Sequence, residues 1–92
     1  MYSIITDTMD RCYFCERTPV EIHHIIFRSE CSKEITEKYG MVIPLCHEHH
    51  LGNNSPHRNR NADLYLKGLA TRLFKEKYPE LDFRETFGKE YV

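Results

Sequence analysis

The sequence predicts a small α+β domain in which two short strands and a helix start gather round clustered cysteine and histidine side chains, with further helices behind them. Three observations predict it. Two ligand pairs of equal spacing, Cys12-Tyr13-Phe14-Cys15 and Cys46-His47-Glu48-His49, stand about thirty residues apart. Two short apolar, β-branched runs, Val20 to Phe27 and Met41 to Leu45, lie between them. A helical period in Leu66, Leu69, Ala70, Leu73 and Phe74 occupies the second half.

The ligand pairs come first because the rest depends on them. Side chains this rich in thiol and imidazole are costly to bury unless something binds them. A Cys-x2-Cys pair answered by Cys-x2-His is the spacing at which two tight turns wrap one tetrahedral zinc ion. Cys12, Cys15, Cys46 and His49 are the expected structural zinc ligands, with His47 and His50 as alternatives to His49 for the fourth place. Cys31 has no partner at ligand spacing. A chain of 92 residues buries too little apolar area for comfortable stability without a staple, and a bound zinc would be that staple.

Each element has its own signals. Residues 1–10 carry Ile4 and Ile5 and read as a leader against the body. Glu16-Arg17-Thr18-Pro19 is the turn out of the first knuckle. Ser32 is placed to cap a short helix with Ile35 and Tyr39 on one face and Gly40 at its end. Gly52-Asn53-Asn54-Ser55-Pro56 stops any helix begun near Cys46. Asn59 or Asn61 caps the longest helix, expected over residues 62–78 and ended by Pro79. A last short helix over 80–87 presents Phe83 and Phe87 on one side, with Gly88 past its end.

Composition excludes some classes and leaves others open. The net charge of -1 carries no global signature of an avid duplex binder. Arg58, Arg60, Lys67, Arg72, Lys75 and Lys77 follow the ligand cluster and suggest a local basic face instead. No stretch approaches the roughly 18 consecutive apolar residues of a membrane span. The first residues show no basic start or cleavage site, so the chain reads as cytoplasmic with reduced thiols.

After the zinc is satisfied, His23-His24 and His50 remain. On a strand, adjacent side chains face opposite ways, so one histidine can bind a metal while the other approaches a substrate. A neutral imidazole suits proton abstraction from water near pH 7, and a divalent ion stabilises charge developing on a phosphate.

A Cys-x2-Cys knuckle, then His23-His24-Ile25, then Pro44-Leu45-Cys46-x2-His49-His50 resembles the HNH endonucleases, in the zinc-stapled version found in phage and prophage proteins. Tyr39-Gly40, Ser55-Pro56-His57 and Phe87-Gly88-Lys89-Glu90-Tyr91 extend the resemblance to small phage-type members. The resemblance implies a zinc-stapled ββα-metal (His-Me finger) domain, with the knuckle and ββα core over about 11–57 and C-terminal helices over about 61–88 of a single domain spanning 1–92. It implies that His23 and His50 bind the catalytic divalent ion, with His57 as a further ligand, and that His24 is the general base.

The sequence departs from the commonest family pattern in three places. His49 stands where many relatives have Cys. His23 stands where many have Asp, which favours borderline transition metals over Mg²⁺. No counterpart of the central Asn appears between Met41 and Leu45, so His24 must be oriented by something else.

The expected function is therefore metal-dependent hydrolysis of DNA phosphodiester bonds, leaving 5′-phosphate and 3′-hydroxyl ends. Zn²⁺ is the structural ion, Mg²⁺, Mn²⁺, Ni²⁺ or Zn²⁺ the catalytic one, and Arg28, Arg58 or Arg60 would hold phosphates. The rival expectation is a non-catalytic zinc module binding nucleic acid or a phage or host protein, for example through the 62–78 helix. A one-site nuclease must dimerise or act twice to cut both strands, and the oligomeric state is open.

Overall fold

The computed structural model describes residues 1–27 and 30–88. Its elements run β1 (Glu21–His24), α1 (Lys33–Lys38), β2 (Val42–Leu45), α2 (His47–Leu51), α3 (Arg60–Lys77) and α4 (Phe83–Phe87). The two strands form one antiparallel sheet, with Glu21 opposite Leu45, Ile22 opposite Pro44, His23 opposite Ile43 and His24 opposite Val42. The architecture is α+β.

β1 is shorter than the apolar run that encodes it. The Ile25 N–H still reaches the Met41 carbonyl at 2.9 Å. Beyond that the alternation fails, because Ile25 and Ile26 are both fully buried and the backbone must bend to bury both.

The N-terminal segment runs beside β2. Ser3 Oγ donates to the Val42 carbonyl at 2.6 Å and the Ile4 N–H to the Gly40 carbonyl at 2.8 Å. Gly40 makes this close approach possible: its φ is +73°, and a Cβ there would lie 2.5 Å from the Tyr2 ring and 2.7 Å from the Ile4 nitrogen. The first knuckle docks on the same strand through the Tyr13 N–H to the Pro44 carbonyl at 2.8 Å.

The helices follow their caps. Ser32 Oγ accepts from the Ile35 N–H and starts α1, whose buried residue is Thr36, while Ile35 lies exposed. Tyr39, at the C-cap, packs its ring on Phe74, Tyr78 and Phe87. Asn59 rather than Asn61 caps α3, accepting from the Ala62 N–H, so the helix begins at Arg60, earlier than expected. Its inner face carries Leu66, Ala70 and Phe74, and Phe74 meets Phe83 and Phe87 of α4 at ring distances of 5.4 and 5.1 Å. Asp82 caps α4 and Gly88 ends it in the left-handed region.

One core joins Cys12 and Cys46 at the knuckles to Phe83 and Phe87 at the far end. The radius of gyration, 12.5 Å, is close to the roughly 12 Å expected of a compact chain of this length. Among the described residues, no helix is long and apolar enough to cross a membrane.

Candidate metal centres

The short helix α2 organises both histidine-bearing clusters. Successive residues of a helix point about 100° apart, so His49 and His50 leave α2 on adjacent faces and reach different groups. Cys46 stands at the N-cap but makes no side-chain capping bond, its sulfur being turned toward the other ligands.

On the first face, Cys12, Cys15, Cys46 and His49 bring one ligand atom each within 4.8 Å of one another. The Cys15 and Cys46 sulfurs are 3.6 Å apart, Cys12 Sγ is 3.6 Å from His49 Nδ1, and Cys46 Sγ is 3.3 Å from it. Zn–S bonds of about 2.3 Å and Zn–N bonds of about 2.0 Å in a tetrahedron require edges of roughly 3.5–3.8 Å. The cluster therefore fits a zinc ion, and its sulfurs are too far apart for a disulfide, whose S–S bond is about 2.05 Å. His49 is the histidine in this quartet; His47 and His50 point elsewhere.

The electrostatics agree with the geometry. Burial pushes the Cys12 thiol up, but the backbone N–H groups of Cys46, Cys15 and Phe14, with the Cys15 side chain, outweigh it and bring the group down to about 6. Cys12 is thus poised as a thiolate. The backbone at Arg17 pulls the Cys15 thiol down, whereas burial and the Cys12 and Cys46 sulfurs raise it further than that. Packing several thiolates together needs a cation between them. Phe14 lies against the His49 ring at 5.6 Å, and Tyr13 packs on the core beneath.

On the second face, His23, His50 and His57 form another group with ligand atoms within 4.8 Å. His50 Nδ1 donates to Glu21 Oε1 at 2.7 Å, which leaves the Nε2 lone pair facing His57 Nε2 at 3.3 Å. Two imidazole nitrogens on one tetrahedral zinc-like ion stand about 3.4 Å apart. His23 is fully buried, and neither of its ring nitrogens has a hydrogen-bond partner. An orphaned buried imidazole costs about 1–3 kcal/mol. Burial, with smaller contributions from His57, His50, His24 and Lys67, brings His23 down to about 3, so it is held neutral, the form that ligates metals. These three residues fit a borderline divalent ion.

His57 is placed by a stack. Its ring lies on Phe27 at 5.2 Å with an 18° interplanar angle, and Lys67 Nζ sits 4.0 Å from the centroid of the same Phe27 ring. Lys67 is itself buried and paired with Asp63 at 3.1 Å and Glu30 at 3.3 Å. It therefore belongs to the scaffold of the site and not to an external basic face.

His24 points away from His23, as neighbours on a strand must, and lines a groove of about 300 Å³ with Ile22, Ile26, Phe27, Lys33, His50 and His57. Arg58 and Arg60 are exposed but do not line the groove, and Arg28 lies outside the described residues, as do Lys89, Glu90 and Tyr91. Among the described residues, Lys33 is the cation that lines the groove. Sequence reasoning missed it, together with Glu21 beside His50 and Glu37, whose Oε2 accepts from His24 Nε2 at 2.8 Å. Glu21 had a readable signal, since it precedes His23 by two residues on the same strand and so shares its face; Glu37 and Lys33 had none, because their nearness depends on how α1 folds back.

No family model matches the chain, and neither the curated proteins nor the solved structures include one significantly similar to it.

Proposed function

We propose that the protein is a metal-dependent endonuclease of the zinc-stapled ββα-metal type, hydrolysing DNA phosphodiester bonds. The observation that carries this reading is the common groove: the facing Nε2 atoms of His50 and His57 and the independent imidazole of His24 share it. A merely structural zinc module needs the quartet alone and has no use for a second imidazole triad beside a further histidine on the groove wall.

In this reading Cys12, Cys15, Cys46 and His49 hold zinc and anchor α2. His23, His50 and His57 would hold the catalytic divalent ion, which when bound supplies positive charge to a phosphate and its leaving oxygen. Glu21 keeps the proton on His50 Nδ1 and so aims Nε2 at the ion. His24 takes the proton of the attacking water. Lys33, at the groove wall, offers a cation to the phosphate, in the role the sequence assigned to Arg28, Arg58 or Arg60. Hydrolysis with the 3′-oxygen leaving yields 5′-phosphate and 3′-hydroxyl ends.

The test is nicking of supercoiled plasmid by zinc-loaded protein with added Mg²⁺, Mn²⁺ or Ni²⁺. Cleavage that needs the added ion, and that falls by about 10²- to 10⁴-fold in His24→Ala while zinc content is unchanged, is the expected result. Absence of cleavage with every ion on plasmid and on single strands would favour the non-catalytic zinc module.

A further inference from the structure

We infer that Glu37 is the positioning residue of His24: it holds the imidazole in the Nε2–H tautomer, so that the bare Nδ1 is the nitrogen left to take a proton in the groove. The inference rests on the proposed hydrolysis for its catalytic meaning, but the contact itself is independent of it.

The geometry carries it. An ionised carboxylate can only accept, so the 2.8 Å contact between His24 Nε2 and Glu37 Oε2 places the proton on Nε2. A ring with its Nε2 engaged has only Nδ1 free to accept. His24 and Glu37 are both largely shielded, at 22% and 27% exposed, so the bond competes with little water. Glu37 comes from α1, the element inserted between the two strands, and the Ser32 cap and the burial of Thr36 fix that helix in place. Lys33, one helical turn earlier, lies 4.0 Å from the same carboxylate oxygen and on the groove wall. The insertion thus contributes two charged groups to a site whose other parts come from β1, α2 and the loop before α3. His24 has no other hydrogen-bond partner among the described residues, so losing Glu37 frees the ring to rotate.

A positioning role separates from a structural one by two readouts. The first is the imidazole N–H signal of His24 in ¹⁵N-labelled, zinc-loaded protein: a slowly exchanging proton correlated to Nε2 is expected in the wild type and in Glu37→Gln, whose amide oxygen still accepts, and is expected to vanish in Glu37→Ala. The second is cleavage under saturating Mn²⁺. Glu37→Ala should lower kcat by about 10- to 100-fold, the usual effect of removing a ligand-orienting or base-orienting partner, without raising KM for the duplex, and Glu37→Gln should restore most of the loss. Equal zinc content and thermal midpoint in all three proteins exclude misfolding as the cause.

A Nε2–H signal that persists in Glu37→Ala, or wild-type kcat in that variant, overturns the assignment. Should the wild type cleave nothing, the proposed hydrolysis falls while the N–H signal still decides whether Glu37 holds His24.

Discussion

Glu21 and His23 show how single side chains set up the second centre. Glu21 receives hydrogen bonds from His50 and His47, which hold its carboxyl below the usual range, His50 being the stronger influence. Only His50 continues to the triad; His47 is exposed. Glu21→Ala should therefore weaken binding of Mn²⁺ or Ni²⁺ to zinc-loaded protein by about 10- to 100-fold in a calorimetric titration, while His47→Ala leaves it nearly unchanged. His23 makes a pH prediction with a definite sign. Its folded value, about 3, lies below the ordinary 6.5, so between these pH values the unfolded chain binds a proton that the folded chain refuses. Its contribution to stability is thus lost as pH falls from about 6.5 toward 3. Urea midpoints of zinc-loaded wild type and His23→Leu at pH 7 and pH 5 should show a smaller acid loss in the variant; zinc release affects both proteins alike and cancels in the comparison.

At the level of elements, α2 and α3 divide the labour. Five residues of α2 send His49 to one cluster and His50 to the other, and α3 backs the second cluster through Lys67 and Phe27. The start of α3 rests on Asn59, so Asn59→Ala should cost about 1 kcal/mol, read as a lower urea midpoint. Gly40→Ala should cost more, because the new Cβ meets both unfavourable backbone conformation and the backbone of Ile4. In that variant the N-terminal segment should detach from β2, seen as faster amide exchange at Ile4, whose N–H now bonds to Gly40.

For the molecule as a whole, the Cys12, Cys15, Cys46 and His49 quartet closes the core at one end and the aromatic cluster of Tyr39, Phe74, Tyr78, Phe83 and Phe87 closes it at the other. With so short a chain, the free energy of a zinc ion bound at this quartet would be largely folding free energy. A strong chelator at neutral pH should therefore abolish tertiary signal and disperse the second histidine group with it, as near-ultraviolet circular dichroism and loss of Mn²⁺ binding would record. Adding zinc back should restore both. If the fold survived chelation intact, the quartet would be a decoration on a self-sufficient core.

Much of this was legible in the chain itself, for reasons of spacing. Cys-x2-Cys and Cys-x2-His each place two ligands through a single local turn, and their matched spacing marks them as halves of one site, although the fold must still join them across more than thirty residues. The cap Ser32, the choice of Asn59 or Asn61 for the long helix, and Gly40 and Gly88 as helix ends are local as well, whereas Asp82 as the cap of the last helix was not read. Opposite faces for His23 and His24 follow from the two-residue period of a strand. What only the tertiary structure decided was long-range pairing. The return of α1 sets Glu37 against His24 and Lys33 into the groove, and the stack on Phe27 aims His57 at His50. Lys67 is drawn inside by two carboxylates, although its sequence surroundings read as a basic surface. Spacing along the chain determines which atoms one turn can gather; the packing of distant elements determines which charges end up facing them.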